Sequence, residues 1–170
     1  MNIIPVSYPP PKSPPNQLVP ANIKYLVIHH TAGSTSQTPL EIDSEERAGE
    51  YAMMPYELLC TQEGLIYAGR PLQYESAATY GLNDVSVAIV AIGNYQSDDA
   101  GFTGLPTQAL LDSIVDAGVF LHQTFPSIES TIGHRDAGPL SDPPYSTACP
   151  GDEIYSHIPW IKAQIGQRLG

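Results

Sequence analysis

Positive charge is scarce in this chain: seven Lys and Arg stand against 18 Asp and Glu, for a formal net charge of -11 over 170 residues. No run of basic residues occurs, which argues against a nucleic-acid partner, since such binding neutralises phosphates with Lys and Arg. The same deficit disfavours electrostatic capture by an anionic membrane or an acidic wall polymer, so a substrate of that kind has to be held by specific contacts. Cysteine is equally sparse. Cys60 and Cys149 alone exclude a disulfide scaffold, although one bridge between them stays open. No apolar run approaches the roughly 20 residues that span a bilayer, and the opening MNIIPVSYPPPK lacks the basic start and continuous apolar stretch of a secretory signal. Membrane insertion is therefore not expected.

Proline, by contrast, is abundant and unevenly placed. Seven of the 17 prolines fall in the first 20 residues, a density that prevents regular hydrogen bonding and favours extended backbone. Residues 1–22 are expected to form a proline-rich arm or linker, and residues 23–170 one folded domain, the size of the chain leaving no room for a second.

The folded part begins with KYLVIHH, residues 24–30, whose apolar continuity suggests a strand buried on both faces. Thr38-Pro39-Leu40-Glu41 carries a capping residue, Pro at the first helical position and an acid three residues after the cap, so a short helix is expected there. Tyr56 to Thr61 and Leu65 to Ala68 flank Glu63-Gly64 as a hairpin, and Val85 to Ile92 reads as another apolar strand. Leu111, Ile114, Val115 and Val119 recur at helical spacing over residues 107–123, and a last helix is expected from Ile158 with Ile161, Ile165 and Leu169 on one side. Strands before and between helices predict an α/β fold with a central mixed β-sheet flanked by α-helices.

Candidate chemistry sits at three places. These are the pair His29-His30 at the end of the first strand, His134 in Gly133-His134-Arg135-Asp136, and Cys149 in Thr147-Ala148-Cys149-Pro150-Gly151. Two imidazoles and a thiolate with an open fourth position make a catalytic zinc site. Taken alone, the same residues also fit a buried satisfied His, a turn His and a small apolar Cys. Strand periodicity does not choose between His29 and His30, because neighbours on a strand point to opposite faces.

Tyr25-Leu-Val-Ile-His29-His30-Thr31-Ala32, Pro55-Tyr56, Glu63-Gly64-Leu65-Ile66-Tyr67-Ala68-Gly69-Arg70-Pro71, Gly133-His134-Arg135-Asp136 and Thr147-Ala148-Cys149-Pro150-Gly151-Asp152 occur in this order. Together they resemble the N-acetylmuramoyl-L-alanine amidase family, which includes T7-type phage lysozymes and peptidoglycan recognition proteins. The resemblance implies that fold, and a zinc hydrolase cutting the amide between N-acetylmuramic acid and L-alanine of peptidoglycan. It also implies one zinc ion per chain, held by His29, His134 and Cys149, with His30 in a supporting or substrate-contacting role. Tyr56 would be the tyrosine beside the metal, Thr147 a hydroxyl for the reacting carbonyl, and Asn83 and Arg70 contacts to the muropeptide. A peptidoglycan or muropeptide partner and a monomer are expected. The enzyme would be made in the cytoplasm and act on the cell wall after release or export.

The alternative is a non-catalytic muropeptide-binding module on the same fold, for which loss of Cys149 or Tyr56 would have spoken. Two departures from the family pattern stand out. Cys149 follows His134 by 15 residues, a long interval rich in Pro, Asp and Ser, and Glu57 replaces the His often found after the tyrosine. Cys60, about 13 Å along the same expected strand from Tyr56 and on its face, is expected to be a buried free thiol. His122 and His157 are expected to be surface or satisfied histidines.

Overall fold

A computed structural model describes all residues, 1–170. The sheet has six strands, β1 (Ile3–Ile4), β2 (Tyr25–His30), β3 (Leu58–Cys60), β4 (Ile66–Ala68), β5 (Ser86–Ala91) and β6 (Ser130–Gly133), in the order β1-β4-β3-β5-β2-β6. Only β3 and β4 run antiparallel; the other pairings are parallel, so the sheet is mixed as the sequence predicts. The helices are α1 (Pro39–Ala48), α2 (Gln108–Thr124), the single turns α3 (His134–Ala137) and α4 (Asp152–Tyr155), and α5 (Ile158–Leu169).

β2 lies between β5 and β6, and both of its faces are apolar. Leu26 and Ile28 join the main core under α2 and α5, whereas Val27 faces Leu82 and Ala137 on the other side. Helix α1 starts where its capping box requires: Glu41 N–H donates to Thr38 Oγ1 at 3.3 Å, and Thr38 N–H donates to Glu41 Oε2 at 2.7 Å. Helix α2 buries Leu110, Ile114 and Leu121, and Gly118 lets Ile165 of α5 approach. Leu169, expected on one side of the last helix with Ile161 and Ile165, is 42% exposed at the helix end, whereas those two are buried.

The expected hairpin is shorter than its sequence span. Pairing covers Leu58 to Cys60 and Ile66 to Ala68, and Tyr56 and Glu57 precede the strand. The shared face expected for Tyr56 and Cys60 is accordingly corrected: Cys60 packs in the main core, whereas Tyr56 packs against Leu59, Met54 and Ile42 on the opposite side. Strand alternation holds only once the strand has begun. Cys60 is a buried free thiol.

The proline-rich segment runs along the domain. Ile3 and Ile4 extend the sheet beside β4, Tyr8 OH donates to the Ala68 carbonyl at 2.8 Å, and Arg47 of α1 donates to the carbonyls of Pro9 and Pro10. Prolines suit this course because their carbonyls accept from side chains while no N–H is left over. No helix is long and apolar enough to cross a membrane.

Candidate metal centre

The centre forms where β2 and β6 end. β6 pairs with β2 up to Ile28↔Gly133, so the next residues of each chain, His29 and His134, emerge side by side with ring centroids 4.4 Å apart. The third group arrives on the loop before α4. Arg135 fixes that loop, its N–H donating to the Cys149 carbonyl at 2.8 Å and its guanidinium to the Ala148 carbonyl and to Asp152 Oδ1 at 2.9 Å. Asp136 closes the turn by accepting from Gly133 N–H at 3.1 Å and Tyr155 OH at 2.7 Å. Gly133 has no side chain because one would strike Tyr155 and Pro150.

One ligand atom from each of His29, His134 and Cys149 lies within 4.8 Å of the others, and Cys149 Sγ is 3.7 Å from His29 Nδ1. A tetrahedral zinc bonded to sulfur at about 2.3 Å and nitrogen at about 2.05 Å sets those two ligands about 3.6 Å apart. The outer nitrogens are occupied as well: His29 Nε2 meets Thr79 Oγ1 at 3.2 Å and His134 Nε2 meets Tyr145 OH at 2.9 Å. With Nε2–H donating outward, the Nδ1 lone pair of each ring remains for a metal, the usual arrangement around zinc-binding histidines. The residues present therefore fit a zinc ion.

Electrostatics agree with that fit. Burial, followed by the neighbouring imidazoles, lowers His29 well below the ordinary histidine range, and burial lowers His134 to about 4, so both rings are neutral at pH 7. Burial pushes the Cys149 thiol up to about 12, opposed by the His30 amide, which donates to Sγ at 3.5 Å, and by the nearby Arg135 charge. A bound cation reverses the balance and takes the thiol as thiolate.

The cleft over these ligands is lined by His30, Tyr51, Tyr56, Asn94, Gln96, Asp99 and Thr147 among others. Tyr56 stands with its ring 5.4 Å from that of His29, and burial raises its phenol well above the usual tyrosine range. Thr147 borders the cleft while its Oγ1 accepts from Cys149 N–H at 3.1 Å. His30 lies on the other strand parity, yet its ring also borders the cleft, with Nδ1 accepting from Tyr95 N–H at 3.1 Å.

Two expected substrate contacts lie elsewhere. Arg70 is corrected: it is 7% exposed, its Nε and Nη1 donate to the carbonyls of Glu75 and Met54, and it borders a separate cavity beside the proline-rich segment. Asn83 is not in the cleft wall; its Oδ1 accepts from Thr79 N–H at 2.8 Å and so steadies the residue that holds His29. Glu57, buried opposite Ala88, accepts from that residue's N–H and from Ser76 OH, filling in where β3 has not yet begun. His122 and His157 are satisfied by Thr131 and by the Glu153 carbonyl.

Sequence reasoning passed over Thr79, Tyr145 and the working roles of Arg135 and Asp136. The last two stand inside the motif Gly133-His134-Arg135-Asp136. Thr79 and Tyr145 carry no local signal, being 50 and 11 residues from the histidines they touch.

Known proteins resemble this chain in sequence and in fold. Bovine peptidoglycan recognition protein 1 is 29% identical over 149 residues, covering 80% of this chain and 70% of that protein. Peptidoglycan-recognition protein SC2 of Drosophila melanogaster is 29% identical over 150 residues, covering 80% and 72%. Among solved structures, N-acetylmuramoyl-L-alanine amidase LysC from Clostridium intestinale URNW superposes with a TM-score of 0.79 at 23% identity, over 98% of both chains. Peptidoglycan recognition protein-LE in complex with tracheal cytotoxin, a monomeric diaminopimelic acid-type peptidoglycan, gives 0.72 at 27% identity, over 92% of this chain and 91% of that one. The N-acetylmuramoyl-L-alanine amidase family profile matches residues 19–152, through β2, the cleft and all three metal-site residues, and the chain belongs to that family.

Proposed function

We propose that this protein is a zinc-dependent N-acetylmuramoyl-L-alanine amidase that hydrolyses the bond between the muramic acid sugar and the stem peptide of peptidoglycan. The carrying observation is the set His29, His134 and Cys149, with ligand atoms within 4.8 Å of one another and both imidazoles held from behind by hydroxyls. Bound zinc would supply Lewis-acid polarisation of the scissile carbonyl and a water whose pKa is lowered to roughly 7.

The chain's own groups do the rest. Tyr56 keeps its proton at any working pH, so it serves as a hydrogen-bond donor to the carbonyl oxygen as negative charge develops there, and not as a base. Thr147 offers a second hydroxyl on the same wall; unlike an ammonium group it adds a hydrogen bond without charge. Asn94 and Gln96 present amides suited to the peptide backbone. Because the chain is strongly acidic, these short-range contacts replace long-range attraction to the wall. The site of action is the cell wall, and the functional unit is the monomer.

Digestion of purified peptidoglycan with and without a chelator, followed by mass spectrometry, tests this. The expected products are free stem peptides beginning with alanine, lost on chelation and restored by Zn²⁺. Intact glycopeptides from zinc-loaded protein would overturn the enzyme and leave a muropeptide-binding module.

A further inference from the structure

The loop between His134 and Cys149 is longer than the family pattern leads one to expect, and it is firmly seated. Tyr145 N–H donates to the Gly138 carbonyl at 3.2 Å, and a side chain at Gly138 would strike the Tyr145 carbonyl. Buried Ser141 lies so close to Gly81 that a side chain there would strike its hydroxyl. The loop is thereby fixed against the segment that carries Thr79 and Tyr80. We propose that Tyr145 is a positioning residue of the metal centre, and that Tyr80, braced by it, is the platform on which the sugar ring of the substrate stacks.

The first half stands on geometry. Tyr145 OH is 2.9 Å from His134 Nε2, and its ring meets the imidazole edge-on at a centroid distance of 5.7 Å. The hydrogen bond fixes which nitrogen carries the proton, and the ring contact fixes the plane. Together they aim Nδ1 at the ligand cluster. Thr79 does the same for His29 from the facing segment, so the two imidazoles are held by hydroxyls from two abutting loops.

The second half stands on exposure. Tyr80 is 63% exposed, with its ring edge-on to Tyr145 at 6.0 Å. A large aromatic left in water, one ring removed from His134 through Tyr145 and two residues beyond Ala78 of the cleft wall, is suited to a ligand with an apolar face and polar rim, which describes a pyranose. This half rests on the amidase function, in which the sugar adjoins the scissile amide and must lie next to the metal. The Asn94, Gln96 and Asp99 stretch of the cleft is polar and suits the peptide.

Tyr145→Phe and Tyr80→Ala separate the two halves. In Tyr145→Phe, which keeps the ring, zinc affinity measured by competition with a chromophoric chelator should fall about tenfold or more, and the visible absorption of the Co²⁺-substituted protein should shift. Unchanged affinity and spectrum would overturn the positioning role. In Tyr80→Ala, zinc affinity should hold, while KM for a disaccharide muropeptide rises by more than kcat falls. An unchanged KM would overturn the platform. If wild-type protein binds zinc but cuts nothing, the amidase function fails by itself, and the dissociation constant for the muropeptide replaces KM as the readout for Tyr80→Ala.

Discussion

Cys149 enters the metal centre as a thiol that burial has pushed up to about 12, facing imidazoles that burial has lowered. Zinc binding at the proposed site should therefore release one proton, from sulfur, with affinity rising about tenfold per pH unit from roughly pH 6 to 7, and more steeply above about pH 7 where the zinc-bound water gives up a second. Calorimetry in buffers of different ionisation enthalpy checks the proton count. Cys149→Ser should abolish stoichiometric zinc and hydrolysis together, as judged by metal analysis of the folded protein. Tyr56→Phe separates the two: zinc content stays at one per chain while kcat falls about 100-fold or more, the loss seen when a donor to a developing oxyanion is removed.

At the scale of elements, the parallel pairing of β3 with β5 is extended at its start by a side chain. Glu57 lies just before β3, and burial pushes its carboxyl up to about 8, against the hydrogen bond from Ala88. Because the folded value is raised above the unfolded one, its contribution to stability is fully present below about pH 4.5 and is lost as pH rises through 8. Glu57→Gln keeps a carbonyl acceptor for the Ala88 amide and cannot ionise. The melting temperature of the variant should gain on that of the wild type as pH rises from 5 to 9, as thermal scans at several pH values would show. The start of α1 is more conventional: Thr38→Ala removes the cap that holds Glu41 N–H and should cost about 1 kcal/mol without changing zinc content.

Over the whole molecule, the acid limit is set by the cleft. His30 and His134 are both lowered to about 4, chiefly by burial. Depressed folded values mean that the contribution of these two rings to the stability of the metal-free protein is fully present above about pH 6.5 and is lost as pH falls toward 4. Chelated protein should therefore melt lower than zinc-loaded protein, since a ligand bound only to the native state stabilises it. Its melting temperature should then fall further through that window. The proline-rich segment is joined to the domain through Arg47, which pairs with the buried Asp43 at 2.6 Å and reaches the carbonyls of Pro9 and Pro10. Arg47→Ala strands the Asp43 carboxylate and frees those carbonyls, so a loss of about 3 kcal/mol is expected. Denaturant unfolding checks that value.

The apolar strand ending in two histidines and the capping box at Thr38 set β2 and the start of α1 by themselves, and the ordered motifs, through the family resemblance they carry, implied the mixed α/β fold and His29, His134 and Cys149 as candidate ligands. The strand and the cap are local patterns whose physical consequence needs no distant partner. The strand parity that left His29 and His30 undecided was resolved by the end of β6, which brings His134 beside His29. Arg70 and Asn83 share the sequence features of groove residues, yet packing turned one inward and set the other behind Thr79. The hydroxyls that hold the imidazoles were illegible in the sequence for the same reason. Thr79 and Tyr145 acquire their roles only when two loops close against each other, and no spacing in a linear chain encodes which side chains will meet there.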